Sequence, residues 1–141
     1  MKIYFAYGSN MNFDQMALRA PSSCFISVGF IKNNQFIINS NGVASLIRKE
    51  NSRVYGALWK LNEDDLINLD KFEGLHKQIY KRVEGTVFDS NNHQTLAQIY
   101  IASDSTFGQP RLGYLEKIIE SAKSLQFDNQ YIEELKTWMP E

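Results

Sequence analysis

The chain contains one cysteine, Cys24. That excludes an internal disulfide and suits a reducing compartment. Beside Phe25 and Ile26, the thiol reads as a buried structural group and not as a nucleophile. Histidine is nearly as scarce. His76 and His93 are the only two, and neither has a ligand at metal spacing. His93 falls in a turn and reads as solvated, while His76 follows a short helix and could at most stand behind a site. Neither charge is in excess: 15 Lys and Arg face 16 Asp and Glu, a net charge of −1. With no Lys/Arg run, there is no electrostatic footprint for nucleic acid or an anionic membrane. No apolar stretch approaches the length of a membrane helix. The N-terminus enters a strand within three residues, without the apolar region of a signal peptide. The expectation is a soluble, cytoplasmic chain whose 141 residues form one domain, 1–141, with a real core.

Repeats, low-complexity tracts and Pro/Gly/Ser-rich linkers are also absent, so the elements follow one another directly. Ile3-Tyr4-Phe5-Ala6 reads as the first strand. Asn12 caps a helix from Phe13 to Arg19, with Gln15 three residues on, and the helix stops before Pro21. Phe25–Ile31 and Phe36–Ile38 read as strands around a turn at Asn33-Asn34. Val43–Ile47 follows a second turn at Asn41-Gly42. Val54–Leu61 is the most strand-like run, and Gly56 within it suggests a bulge or a close backbone approach. Asn62 caps a short helix whose inward face would carry Leu66, Leu69 and Phe72, with Gly74 as its terminator. Ile79–Phe88 and Thr95–Ala102 form a hairpin around Asp89-Ser90-Asn91-Asn92. Two helices close the chain. One runs from about Arg111 to Ser124 with Leu115, Ile118, Ile119 and Ala122 inward. The other follows Asp128 with Ile132, Leu135 and Trp138 inward. Strands outnumber helices and do not alternate with them, which points to α+β. About six short strands could curl into a small barrel, leaving no exposed edge.

Two places carry chemistry. Tyr7-Gly8-Ser9-Asn10 turns from the first strand toward a helix N-terminus. Such a turn aims free backbone N–H groups at one spot, where an anion or a developing oxyanion can sit. The plain alternative is a capped turn closing a strand–helix connection. Ser9 lacks a G-x-S-x-G context for a catalytic triad. Gly8 is not followed by the Gly-Lys-Ser/Thr of a phosphate loop. Glu73 is the second place. It occupies the last helical turn, where the helix dipole disfavours a carboxylate. Half-buried behind Phe72 and Leu75, its pKa should rise toward the range of a general acid/base. The plain alternative is a surface glutamate paired with Lys71 or Lys77.

Tyr7-Gly8-Ser9-Asn10 after the first strand, Asp70-Lys71-Phe72-Glu73-Gly74 after a Trp-Lys-Leu strand end, and Pro110 followed by Tyr114 at a helix start together resemble the gamma-glutamylcyclotransferase-like (AIG2-like) family. The resemblance extends from Lys2 to about Trp138. It implies a small mixed β-barrel flanked by helices and a reaction that releases 5-oxoproline from a γ-glutamyl amide, amine or dipeptide, with no metal or cofactor. It implies Glu73 as the catalytic acid/base and Tyr7, Gly8, Ser9 and Asn10 as the loop that binds the glutamyl group. Tyr4 to Ala6 would line the same cavity, and Tyr114 would close it. Nothing in 33–53 or 103–109 matches a substrate-selecting motif, so the leaving group stays open. The expected partner is a small γ-glutamyl compound. Two other classes compete: a non-catalytic module that binds a small carboxylate in the same pocket, and an aromatic barrel that stacks single-stranded nucleic acid. The missing basic stripe and the strand placement of the aromatics speak against the last.

Overall fold

A computed structural model describes residues 2–140. Among them five strands close into one barrel: β1 (Lys2–Ala6), β2 (Cys24–Ile38), β3 (Ala44–Leu61), β4 (Tyr80–Asp89) and β5 (Gln94–Ala102), in the order β1-β3-β2-β4-β5. Every neighbouring pair is antiparallel except β1 and β5, which meet in parallel at Tyr4 and Gln98 and complete the circle. Four helices flank it: α1 (Phe13–Arg19), α2 (Glu63–Phe72), α3 (Tyr114–Ser124) and α4 (Asn129–Lys136). The architecture is the expected mixed barrel. None of the helices is long and apolar enough to cross a membrane.

The strand count falls below six because turn residues bend strands here without ending them. Asn33 and Asn51 both adopt left-handed backbone, φ 60° and 64°, a conformation asparagine tolerates better than most residues. They face each other across β2 and β3, and the Asn51 N–H donates to Asn33 Oδ1 at 3.2 Å. The ladder shifts register there and resumes, as a β-bulge does. Asn33-Asn34 and Lys49–Ser52 therefore lie inside a long bent hairpin, whose tip is the Asn41-Gly42 turn, with Gly42 at φ 80°. Gly56 fulfils its expectation: a Cβ there would sit 2.4 Å from the carbonyl oxygen of Ala6, so only glycine lets β1 lie this close to β3.

Helix ends follow their caps. Asn12 Oδ1 accepts from the Gln15 N–H and Asn62 Oδ1 from the Asp65 N–H, both at 2.8 Å. Gly74 turns left-handed, φ 67°, and ends α2. The helix expected from Arg111 begins instead at Tyr114, because Gly113 is left-handed at φ 77° and breaks the path before it. Leu115, Ile118, Ile119 and Ala122 of α3 and Ile132 and Leu135 of α4 are buried as their spacing requires, together with Phe5, Met11, Met16, Val54 and Leu69. Trp138 is partly buried, edge-on to Phe107.

Two burial expectations fail. Cys24 is exposed, because it opens β2 at the barrel's outer rim, where Phe25 and Ile26 are also partly in solvent. Phe25 packs sideways against Phe13 and Trp59. Phe72 does not join Leu66 and Leu69 inside. It is 60% exposed, and the guanidinium of Arg19 lies 4.8 Å over its ring.

The strand directions set the working end. Since β1 and β5 run parallel and β4 runs against β5, the C-terminal ends of β1 and β5 and the N-terminal end of β4 face the same way. The residues following Ala6, those preceding Ala102 and Tyr80 meet there.

Candidate active site

After Ala6 the chain makes one 3-10 turn, Ser9–Met11, before α1 begins. Met11 and Asn12 donate to the carbonyls of Gly8 and Ser9, which leaves the N–H groups of Gly8, Ser9 and Asn10 without a partner inside the turn. These residues line a hollow with Tyr4, Tyr7, Ala44, Glu73, Tyr80, Tyr100 and Tyr114. The turn, the acid and the late tyrosine thus share one cavity, although they lie far apart in the chain. The hollow encloses about 40 Å³, room for a few water-sized groups and so for a compact polar head. Gly8 forms its floor: a Cβ there would stand 3.3 Å from the Ala44 side chain and 3.5 Å from the Tyr114 hydroxyl.

Glu73 ends α2, its N–H bonded to the Leu69 carbonyl. It is half-buried. Among the described residues it forms no ion pair with Lys71 or Lys77. Its Oε1 lies 3.4 Å from Nδ2 of Asn10, a long hydrogen bond. Burial pushes its pKa up from 4.5 to about 7, against a smaller opposing pull from the Arg19 charge. The rise comes from loss of water, as expected, although the screen is the tyrosine-lined hollow and not Phe72.

Asn10 is 2% exposed and has one possible orientation. Its Oδ1 accepts from Gln15 Nε2 at 2.9 Å and from Arg19 Nη1 at 3.1 Å. Its Nδ2 therefore faces inward, donating to the Tyr4 hydroxyl at 3.0 Å and toward Glu73. Gln15, which the sequence suggests as a capping-box partner, turns its side chain to this task instead.

The five tyrosines divide by what their protons do. Tyr7 donates to the carbonyl of Tyr100, Tyr80 donates to the carbonyl of Ala44 at 2.7 Å, and Tyr100 donates to Asp70 Oδ1 at 2.6 Å. Tyr114 accepts from the Ala44 N–H at 3.0 Å and Tyr4 accepts from Asn10. Their own protons have no acceptor among the described residues and are free for a ligand in the hollow. Burial raises all five pKa values, that of Tyr114 to about 12 and the others further. All five hydroxyls stay protonated across the physiological range, and those of Tyr4 and Tyr114 present donors to an anion.

Arg19, Tyr80 and Tyr100 belong to the site's surroundings without a signal in the sequence. Arg19 sits in a last helical turn, where a cation merely suits the dipole. Tyr80 and Tyr100 alternate within strands like any packed residue. Asp70, inside the Asp-x-x-Glu-Gly element, was the available pointer to a network. The histidines are elsewhere: His76 is exposed after α2, and His93 lies in the β4–β5 turn, 76% exposed, 3.4 Å from Asp89. Among the described residues no group of three His, Cys, Asp or Glu side chains gathers to hold a metal.

Comparison with known proteins bears on the family and the fold. A model of the AIG2-like family matches residues 53–135, more than half of the chain. The chain belongs to this gamma-glutamylcyclotransferase-like, AIG2-like family. Human and bovine proteins named gamma-glutamylcyclotransferase are 26% and 27% identical to it over 148 residues, which cover 98% of this chain and 79% of each of theirs. A solved structure named gamma-glutamyl cyclotransferase superimposes with a TM-score of 0.91 at 27% identity, over 99% of this chain and 89% of that one. YkqA from Bacillus subtilis shares the fold, with a TM-score of 0.84 at 19% identity over 98% of this chain and 54% of its own.

Proposed function

We propose that the chain is a cyclotransferase that releases 5-oxoproline from a γ-glutamyl amide, amine or dipeptide, with Glu73 as general acid/base. One observation carries the reading: a half-buried carboxyl with a pKa near 7 shares a small hollow with the Gly8–Asn10 amides and two uncommitted tyrosine protons.

The substrate's α-ammonium must lose a proton before its nitrogen can attack. An α-amino group has a pKa of about 8. A carboxylate at 4.5 is a poor match for that proton, whereas one near 7 takes it at a cost of only about 1–2 kcal/mol. The freed amine attacks its own γ-carbonyl carbon and closes a five-membered ring. The γ C–N bond then breaks as Glu73 returns a proton to the departing nitrogen, while the ring nitrogen gives up its surplus proton to water. The products are 5-oxoproline and a free amine. Such acid/base assistance contributes roughly 10²–10⁴-fold. The amides of Gly8, Ser9 and Asn10 and the free protons of Tyr4 and Tyr114 bind negative charge, either the α-carboxylate or the γ-oxyanion. Each oxyanion donor contributes about 3–4 kcal/mol. Holding the flexible glutamyl chain folded supplies the proximity effect.

Incubation with γ-glutamyl dipeptides, γ-glutamylamines and γ-glutamyl-ε-lysine, followed by measurement of 5-oxoproline, tests the reading and ranks the leaving groups. Glu73→Gln preserves shape and hydrogen bonding but removes the base, and should lower kcat at least a hundredfold. Binding without turnover across the whole panel would favour the non-catalytic module.

A further inference from the structure

We propose that Arg19 is a positioning residue for this site, acting on Glu73 through the side-chain amide of Asn10. The inference rests on the assignment of Glu73 as the acid/base and adds a residue that does not line the hollow.

The geometry is a relay of three links. Arg19 is seated from two sides. Its guanidinium lies over the Phe72 ring, one residue before Glu73 on α2, and its Nη1 donates to Asn10 Oδ1. Phe72 is exposed where its neighbours in the helical pattern are buried, and the stacked guanidinium is what its outward position serves. Asn10 is the middle link. A buried amide could flip, exchanging its oxygen and nitrogen. With Arg19 and Gln15 both donating to Oδ1, a flip would set Nδ2 against two donors. Asn10 is therefore held with Nδ2 toward Tyr4 and Glu73. Glu73 is the last link, and the amide donor steadies its carboxylate on the side of the Gly8–Asn10 turn.

The same relay sets the local charge. The groups facing Glu73 are Tyr4 of β1, Tyr7 after it, Tyr80 of β4, Tyr114 of α3 and Arg19 of α1, with Arg111 reaching Tyr80 and Tyr114 from the loop before α3. The tyrosines keep their protons and carry no charge at neutral pH. Arg19 is thus the charge that opposes burial at Glu73. Loss of that charge makes the carboxyl hold its proton to higher pH, so the basic form needed for attack appears later.

The test compares Arg19→Gln, Arg19→Lys and Phe72→Ala with the wild type. The Glu73 carboxyl is titrated by carbon NMR in each, and 5-oxoproline release is measured from pH 5 to 9. Arg19→Gln should raise the Glu73 midpoint by about half a unit to one unit, since close opposite charges shift a carboxylate by about 1–3 and this one acts through an intervening amide. The acidic limb of the kcat profile should move up equally. Arg19→Lys should restore the midpoint while recovering only part of kcat, because lysine brings charge without the planar fork. Phe72→Ala, at an exposed position, should shift the midpoint in the same direction by less. A Glu73 midpoint and kcat unchanged in Arg19→Gln would overturn the proposal. So would a rise in KM alone without a pH shift, which would make Arg19 a direct substrate contact. If no γ-glutamyl compound is turned over, the acid/base reading fails, yet the NMR midpoints still decide whether Arg19 governs Glu73.

Discussion

The Tyr100 hydroxyl donates to Oδ1 of Asp70 at 2.6 Å, joining β5 to α2 one turn before Glu73. Arg82 of β4 adds a second tie, its Nε 3.0 Å from the same oxygen and its Nη2 3.3 Å from the other. The Nε–H is not aimed at its oxygen and counts as charge attraction, whereas Nη2 makes the hydrogen bond. Tyr100 also meets Tyr4 edge-on, with ring centres 5.6 Å apart. Asp70 therefore fixes the end of the helix that carries the acid to the wall of the hollow that faces it. Asp70→Asn keeps the shape but weakens both ties. It should cost about 1–2 kcal/mol, the lower range for hydrogen bonds to charged groups, because the pair is partly exposed. Urea unfolding measures this, and a double-mutant cycle with Tyr100→Phe should give a coupling above about 0.5 kcal/mol. Additive losses would mean that the contact is slack.

The parts of this molecule legible in its sequence are those fixed locally. Asn12 with Gln15, and Pro21 after Arg19, bracket α1 to the residue, because a cap and a breaker act within a few positions. Gly56 announced a close approach, since only contact with another backbone rewards a missing side chain inside a strand. Glu73 stood out because it breaks the dipole rule at a helix end. What depends on distant partners was hidden. Asn33 reads as a turn, yet it bends a strand that continues, its side chain accepting the Asn51 N–H from across the ladder. Phe72 fits an apolar stripe, yet it faces outward under Arg19, a residue of another helix. Tyr80 and Tyr100 reach the site through the closure of the barrel, which no local pattern encodes.

Tyr114 offers a separable contribution to binding. Its oxygen accepts from the Ala44 N–H, so its proton points elsewhere, and a pKa raised to about 12 keeps that proton in place. Tyr114→Phe removes one donor to the ligand and orphans one backbone N–H. The orphan costs about 1–3 kcal/mol of stability, and the lost donor about 1.5–3 kcal/mol of binding at a carboxylate or about 3–4 kcal/mol at an oxyanion. The expected kinetic result is a kcat/KM at least about tenfold lower, with the acidic limb of the pH profile unmoved, since a neutral hydroxyl carries no charge to Glu73. An unchanged kcat/KM would assign Tyr114 to packing alone.

The raised pKa of Glu73 also predicts how folding stability depends on pH. Unfolded, the carboxyl titrates near 4.5, and folded, near 7. Between these values the folded state holds a proton that the unfolded state has released, so this residue's contribution falls as pH rises. Below about pH 4.5 both states are protonated and the penalty vanishes. Above about pH 7 both are ionised and the folded state bears the full cost of a half-buried charge, on the order of 2–3 kcal/mol. Glu73→Gln has no charge to bury and should remove that cost. The variant should therefore be more stable than the wild type at pH 8, with the advantage shrinking through pH 6 and disappearing near pH 4. Urea midpoints measured in parallel at the three pH values isolate this carboxyl, because every other titrating group is common to both proteins. A variant equally stable relative to wild type at pH 4 and pH 8 would mean that Glu73 titrates alike in the folded and unfolded chain, and a base poised near neutrality would then have no thermodynamic footing.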